Sequence, residues 1–88
     1  MTEETSLIEY PCDFPIKIMG KSEKSFAEVV VVIVKQHVPD FDDTTIQTRE
    51  SKKGAYLSVT CTIRATSRAQ LDALYQALSE HPMVAVVL

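Results

Sequence analysis

Ser51-Lys-Lys-Gly-Ala-Tyr-Leu-Ser-Val-Thr-Cys-Thr-Ile-Arg-Ala65 is a basic turn with a glycine that feeds an unbroken alternation. Leu57, Val59, Cys61, Ile63 and Ala65 fall on one side, and Tyr56, Ser58, Thr60, Thr62 and Arg64 on the other. A period of two with one apolar side marks a strand half-buried against a core. The rest of the chain has to supply the partners of that strand and the layer that covers its apolar side.

Upstream, Phe14–Met19 alternates Phe14, Ile16 and Ile18 against Pro15, Lys17 and Met19, and reads as a strand closed by Gly20. Val29–Val34 is six β-branched residues in a row, which suits a buried strand. Three features favour a helix instead. Ser25-x-x-Glu28 has the form of a capping box. Phe26, Val29, Val30, Ile33, Val34 and His37 follow the spacing of one helical face. Pro39 then stops the segment. An acidic loop, Asp40-Phe-Asp-Asp43, leads to a short strand over Thr45–Glu50 with Ile46 and Thr48 on one side. After the central strand, Ser67-x-x-Gln70 is a second capping box, and Leu71, Leu74, Tyr75 and Leu78 form an amphipathic stripe that Pro82 ends. Met83–Leu88 is the last strand, with Val84, Val86 and Leu88 expected inward.

The order is βαββαβ. Two helices with one apolar stripe each are best buried on the same face of a four-stranded antiparallel sheet, the ferredoxin-like α+β sandwich. Residues 1–13 read as an N-terminal tail, polar and disordered over 1–6, and 14–88 as the domain.

Composition narrows the function classes. Eighty-eight residues make one domain, which buries only about 60–65% of its unfolded surface and needs a compact core. The net charge of −3 argues against non-specific nucleic-acid binding, which leaves a basic footprint. Cys12 and Cys61 form no disulfide framework and no Cys-x-x-Cys, so redox and metal-chaperone readings lose their support. Two reduced thiols, an N-terminus without signal-peptide character and no apolar run of spanning length give the expectation of a cytoplasmic protein off the membrane.

The segments Leu7-Ile-Glu-Tyr-Pro-x-x-Phe14-x-x-Lys17-x-Met-Gly20, Ser51-x-Lys-Gly-x-Tyr56-x-Ser58-Val-Thr and Ala65-Thr-x-x-x-Gln70-x-x-x-Leu74-Tyr75-x-x-Leu78 resemble the YbeD-like family of small bacterial proteins. The resemblance implies a fold similar to the ACT regulatory domains of amino-acid metabolism, which bind small effectors near the loop after the first strand. It also implies a link to lipoate metabolism, because members are often encoded beside the lipoyl (octanoyl) transferase.

Topology suggests where a site would lie. In a split βαβ domain the end of the first strand, the start of the first helix and the turn between the middle strands share one end of the sheet. Lys21, Lys24, Arg49, Lys52 and Lys53, five of the nine basic residues, would gather there, joined by the positive end of the first helix. Asp40, Asp42 and Asp43 would lie at the other end. The candidate ligand-binding residues are Gly20, Lys21, Lys24, Ser51, Lys52, Lys53, Gly54, Tyr56 and Ser58. Gly20 would let the first loop approach a ligand closely, Lys53 and Gly54 would shape the facing turn, and Tyr56 and Ser58 would offer polar tips.

Other chemistries fit less well. An RNA-recognition module places stacking aromatics where this chain has Ala55, Leu57 and Thr60. Acylphosphatase chemistry needs an arginine that the loop Gly20–Lys24 lacks. An EF-hand starting at Asp40 would need glycine at Thr45 and glutamate at Ser51. His37 and His81 sit where they would complement helix C-termini rather than hold a metal. The reading is a non-catalytic regulatory or effector-binding domain of bacterial metabolism, without catalytic residues, metal or cofactor, whose partner is a small anionic effector or a metabolic enzyme that it modulates. The alternative is a protein–protein adaptor with no small-molecule ligand. The mixed character of the outer sheet face leaves monomer and homodimer both open.

Overall fold

The computed structural model describes residues 9–88. Residues 1–8 of the expected tail, with the stretch read as disordered, lie outside them.

The central strand forms as its alternation requires. It is β3, Tyr56–Ala65, and its Val59, Cys61, Ile63 and Ala65 are buried while Thr62 and Arg64 are exposed. It pairs antiparallel along its whole length with β1, Cys12–Lys21, from Cys12↔Ala65 to Lys21↔Tyr56. β1 starts two residues earlier than the strand read from the sequence. β2, Gln47–Glu50, pairs with β3, and β4, Val84–Val87, pairs with β1, giving the order β2-β3-β1-β4. This is the ferredoxin-like βαββαβ sandwich.

The valine-rich segment is helical. α1, Phe26–His37, buries Phe26, Val30, Ile33 and Val34. A β-branched residue loses at most about 0.7 kcal/mol of helix propensity, whereas full burial of a Val, Ile or Phe side chain contributes about 1.5–3 kcal/mol. Packing therefore decides the conformation. The capping box at Ser25 does not form: Ser25 has helical angles (φ −81°, ψ −6°) and makes no side-chain cap bond. The helix starts instead on backbone bonds, from the Phe26 N–H to the Glu23 carbonyl (3.0 Å) and from the Val29 N–H to the Ser25 carbonyl (2.9 Å).

The second box does form. In α2, Arg68–Glu80, the extended Ser67 accepts from the Gln70 N–H on its side chain (3.0 Å). Gln70 Oε1 accepts from the Thr66 N–H (2.7 Å), and its Nε2 donates to the His37 carbonyl (3.2 Å), joining the start of α2 to the end of α1. Leu71, Leu74 and Leu78 complete a core with Ile16, Ile18, Val59, Cys61 and Ile63.

The last strand corrects the expectation that Val84, Val86 and Leu88 point inward. Met19 opposes Val86 but Gly20 opposes Val84, so Ala85 is an extra, bulged residue. The bulge turns Val84 and Val87 onto the core and leaves Val86 and Leu88 on the open face, 44% and 65% exposed. Backbone bonds between Lys17 and Leu88 (2.8 and 3.2 Å) carry the pairing one residue past β4.

Candidate functional site

The two loops at the Lys21–Tyr56 end of the sheet are bonded to each other. The Ser22 N–H donates to the Ala55 carbonyl (3.1 Å), and the Ser22 hydroxyl donates to Glu50 Oε2 (3.0 Å). The first bond holds the exit of β1 against the β2–β3 turn. The second ties the Glu50 carboxylate at the end of β2 to the same loop.

The turn is built around Ser51. Its N–H donates to the Tyr56 carbonyl (2.9 Å), its hydroxyl oxygen accepts from the Tyr56 N–H (3.2 Å), and its carbonyl accepts from the Gly54 N–H (2.9 Å). Gly54 adopts φ +70°, which requires a residue tolerant of the left-handed region. Lys52 and Lys53 occupy the exposed tip.

The basic residues divide by location. Among the described residues three ion pairs form: Lys35–Asp43 (3.1 Å), Arg64–Asp13 (3.8 Å) and Arg68–Asp72 (3.4 Å). None involves Lys21, Lys24, Arg49, Lys52 or Lys53, and all five are exposed. Two of the three aspartates of the acidic loop have partners within the chain. Asp43 binds Lys35, and Asp42 Oδ1 accepts from the Thr44 N–H (3.0 Å) and hydroxyl (2.6 Å), which start a 3-10 turn over Asp43–Thr45. Those hydrogen bonds hold the Asp42 carboxyl below its usual pKa. The length of β1, roughly 30 Å at about 3.3 Å per residue, separates the rung of Cys12 from that of Lys21.

Individual candidates fare differently. Lys21, Lys24, Lys52 and Lys53 are exposed, and Tyr56 is 49% exposed. The Ser58 hydroxyl already donates to the Arg49 carbonyl (3.3 Å), which leaves its oxygen's lone pairs rather than its proton facing the open sheet. Gly20 does not open the loop to a ligand. It is buried within β1, and the space that a Cβ would need is filled by the Met83 carbonyl and the Phe26 ring. Its smallness serves packing.

Tyr56 stands between two hollows. One of about 330 Å³ is lined by Lys21, Glu23, Tyr56 and the Pro82–Ala85 segment. The other, about 180 Å³, is lined by Met19, Arg49, Glu50, Ser51, Tyr56 and Ser58. Arg49 therefore joins the site. Two further grooves flank Val32 on the outer side of α1; they are mostly apolar, with Glu28 on both, Asp43 on one and Ser25 and His81 on the other, and contain no lysine or arginine. Sequence reasoning missed Ser22 and the bulge at Ala85, which carry no local pattern.

The cysteines are far apart. Cys12 lies on the Ala65 rung and Cys61 on the Ile16 rung, four residues or about 13 Å along the strand, beyond the reach of a disulfide. Burial pushes the Cys61 thiol up to about 11, so it stays protonated and unreactive.

A split βαβ sheet with both helices on one face is the architecture of ACT domains, and solved structures bear this out. The solution structure of protein HP0495 from H. pylori superposes with a TM-score of 0.75 at 15% identity, over 92% of this chain and 85% of that one. The solution structure of the ACT domain from GTP pyrophosphokinase of Chlorobium tepidum gives 0.65 at 18% identity, over 86% and 84%. The chain belongs to the family described as "Protein of unknown function (DUF493)", whose profile matches residues 5–88. This agrees with the YbeD-like resemblance. It is 69% identical to UPF0250 protein NE1487 of Nitrosomonas europaea over the full length of both chains. It is 57% identical to a UPF0250 protein of Paraburkholderia phytofirmans over 94% of this chain and 93% of that one. No helix among the described residues is long and apolar enough to cross a membrane.

Proposed function

We propose that this protein is a non-catalytic regulatory module of bacterial metabolism that receives an anionic group at the basic end of its sheet. The group is carried by a small effector or by the metabolic enzyme that the module modulates. One observation carries the reading: five exposed basic side chains, on the two bonded loops and the strand ends beside them, form no ion pair among the described residues, while Lys35 and Arg64 toward the other end are paired with Asp43 and Asp13. The likeness to an ACT domain supports a regulatory role, and the lipoate link implied by the family resemblance names the first enzymes to try, in the cytoplasm.

An exposed charge pair contributes about 0.2–1 kcal/mol. A trianion that engages three or four of these cations gains about 0.6–4 kcal/mol, a Kd of about 1 mM or weaker for a ligand without other contacts. The test is a titration of the ¹⁵N-labelled protein with citrate and with pyrophosphate, followed by amide shifts, since weak binding suits that method. Saturable shifts at Lys21–Lys24 and Lys52–Gly54 are expected, and they should collapse in about 0.3 M salt, where screening shortens the reach of exposed charges. Flat titrations with both anions remove the reading. A second reading, an adaptor that binds only a protein, draws on the exposed Tyr56, Val86 and Leu88.

A further inference from the structure

The open face of the sheet extends the basic end toward its middle. Three rungs share it: Lys21 beside Tyr56; then Arg49, Ser58, Met19 and Val86; then Gln47, Thr60, Lys17 and Leu88. None of these positions is Asp or Glu. Lys17, Lys21 and Arg49 are exposed and take part in none of the three ion pairs of the described residues. Among them stand Tyr56, Val86 and Leu88, three of the four large apolar side chains exposed in the described residues. The bulge at Ala85 is what places Val86 here.

The kinds of occupant can be separated by charge and shape. A second copy laid face to face would set Lys17, Lys21 and Arg49 against their own counterparts, and like charges across an interface are destabilising. A small molecule needs a cleft that encloses most of its surface. The hollows beside Tyr56 are open, and the rungs beyond them have no wall. A single-stranded nucleic acid needs several stacking aromatics, and Tyr56 is the one aromatic on these rungs. A polypeptide segment that mixes carboxylates with apolar side chains matches both the unpaired cations and the apolar groups between them.

We infer that the open sheet face docks such an acidic–apolar segment of a partner protein, with its carboxylates on Lys17, Lys21 and Arg49 and its apolar side chains on Met19, Val86 and Leu88. This rests on the anion-recognition reading of the basic end, with which it shares Lys21, Arg49 and Tyr56.

The test uses the full chain, ¹⁵N-labelled, with four probes: a peptide alternating Glu and Leu, polyglutamate of the same length, citrate, and oligouridylate. The Glu–Leu peptide is expected to move amides at Lys17–Met19, Ser58–Thr60 and Val86–Leu88. It should bind about tenfold tighter than polyglutamate, through its apolar contacts. Lys17→Glu and Leu88→Ser, both at exposed positions, should each weaken the peptide about tenfold and leave citrate binding unchanged. Equal binding of both peptides, with shifts confined to the loops, overturns the docking surface while the anion reading stands. Oligouridylate shifting the open face as strongly as the Glu–Leu peptide, or shifts there that depend on protein concentration alone, also overturn it. Silence with all four probes removes both readings.

Discussion

Gly20→Ala separates packing from ligand approach at the centre of the candidate site. A Cβ at this position would come 2.5 and 2.7 Å from Phe26 Cε1 and Cζ, and would also run into the Met83 carbonyl. Neither neighbour yields cheaply. Phe26 is fully buried. The turn containing Met83 is pinned by the Val84 N–H on the His81 carbonyl (3.0 Å) and by the Met83 N–H on His81 Nδ1 (3.1 Å). Overpacking of this kind costs about 1–3 kcal/mol, and two rigid neighbours place it near 3. Replacing glycine restores about 0.4–1 kcal/mol by restricting the unfolded chain. The net loss is about 2 kcal/mol, which for a domain of this size lowers Tm by about 8–16 °C. Thermal unfolding followed by circular dichroism measures it directly. A variant that melts within about 2 °C of the parent would refute the packing assignment and return Gly20 to the loop role read from the sequence.

The two serines of the capping-box patterns should behave oppositely. Ser67→Ala loses a formed cap and about 1 kcal/mol, whereas Ser25→Ala stays within about 0.5 kcal/mol in urea denaturation. At Gly54 a Cβ meets nothing within 4 Å, so Gly54→Val should cost about 1–2 kcal/mol from the left-handed backbone alone, and Gly54→Asn much less. The Cys61 thiol, raised from 9.0 to about 11, contributes stability that is complete below pH 9 and lost as pH rises through 11. At neutral pH a thiol reagent should therefore modify Cys12 and spare Cys61 until the protein unfolds, as mass spectrometry would show.

The chain's pattern specifies what is decided locally or by one-sided burial. The alternation of 56–65 gives the faces of β3, and through its pairing those of β1. The valines of α1 needed the helical period to override their strand preference, and burial of Val30, Ile33 and Val34 explains why the period prevails. The Val84–Leu88 run could not reveal its faces. It is apolar throughout, so no alternation marks the inner side, and the bulge depends on tertiary contact with Gly20. Ser25 matches a capping motif in sequence, but its own backbone is helical, which the motif does not encode. The gathering of Lys21, Lys52 and Lys53 followed from topology. That none of them forms an ion pair among the described residues did not, because pairing is decided by side-chain geometry in the folded chain. A buried glycine and a loop glycine read alike, which is why the role of Gly20 needed the structure.

On the proposed function, the lysines of the bonded loops act together on an anion. The direct measurement is a citrate titration at low salt of the parent and of the Lys52→Glu/Lys53→Glu double variant, read at the Lys21–Lys24 amides across the loop contact. Saturable shifts are expected in the parent, with a Kd of about 1 mM or weaker, and their loss in the variant with its fold intact. Shifts of equal size and affinity in both proteins would contradict the proposal.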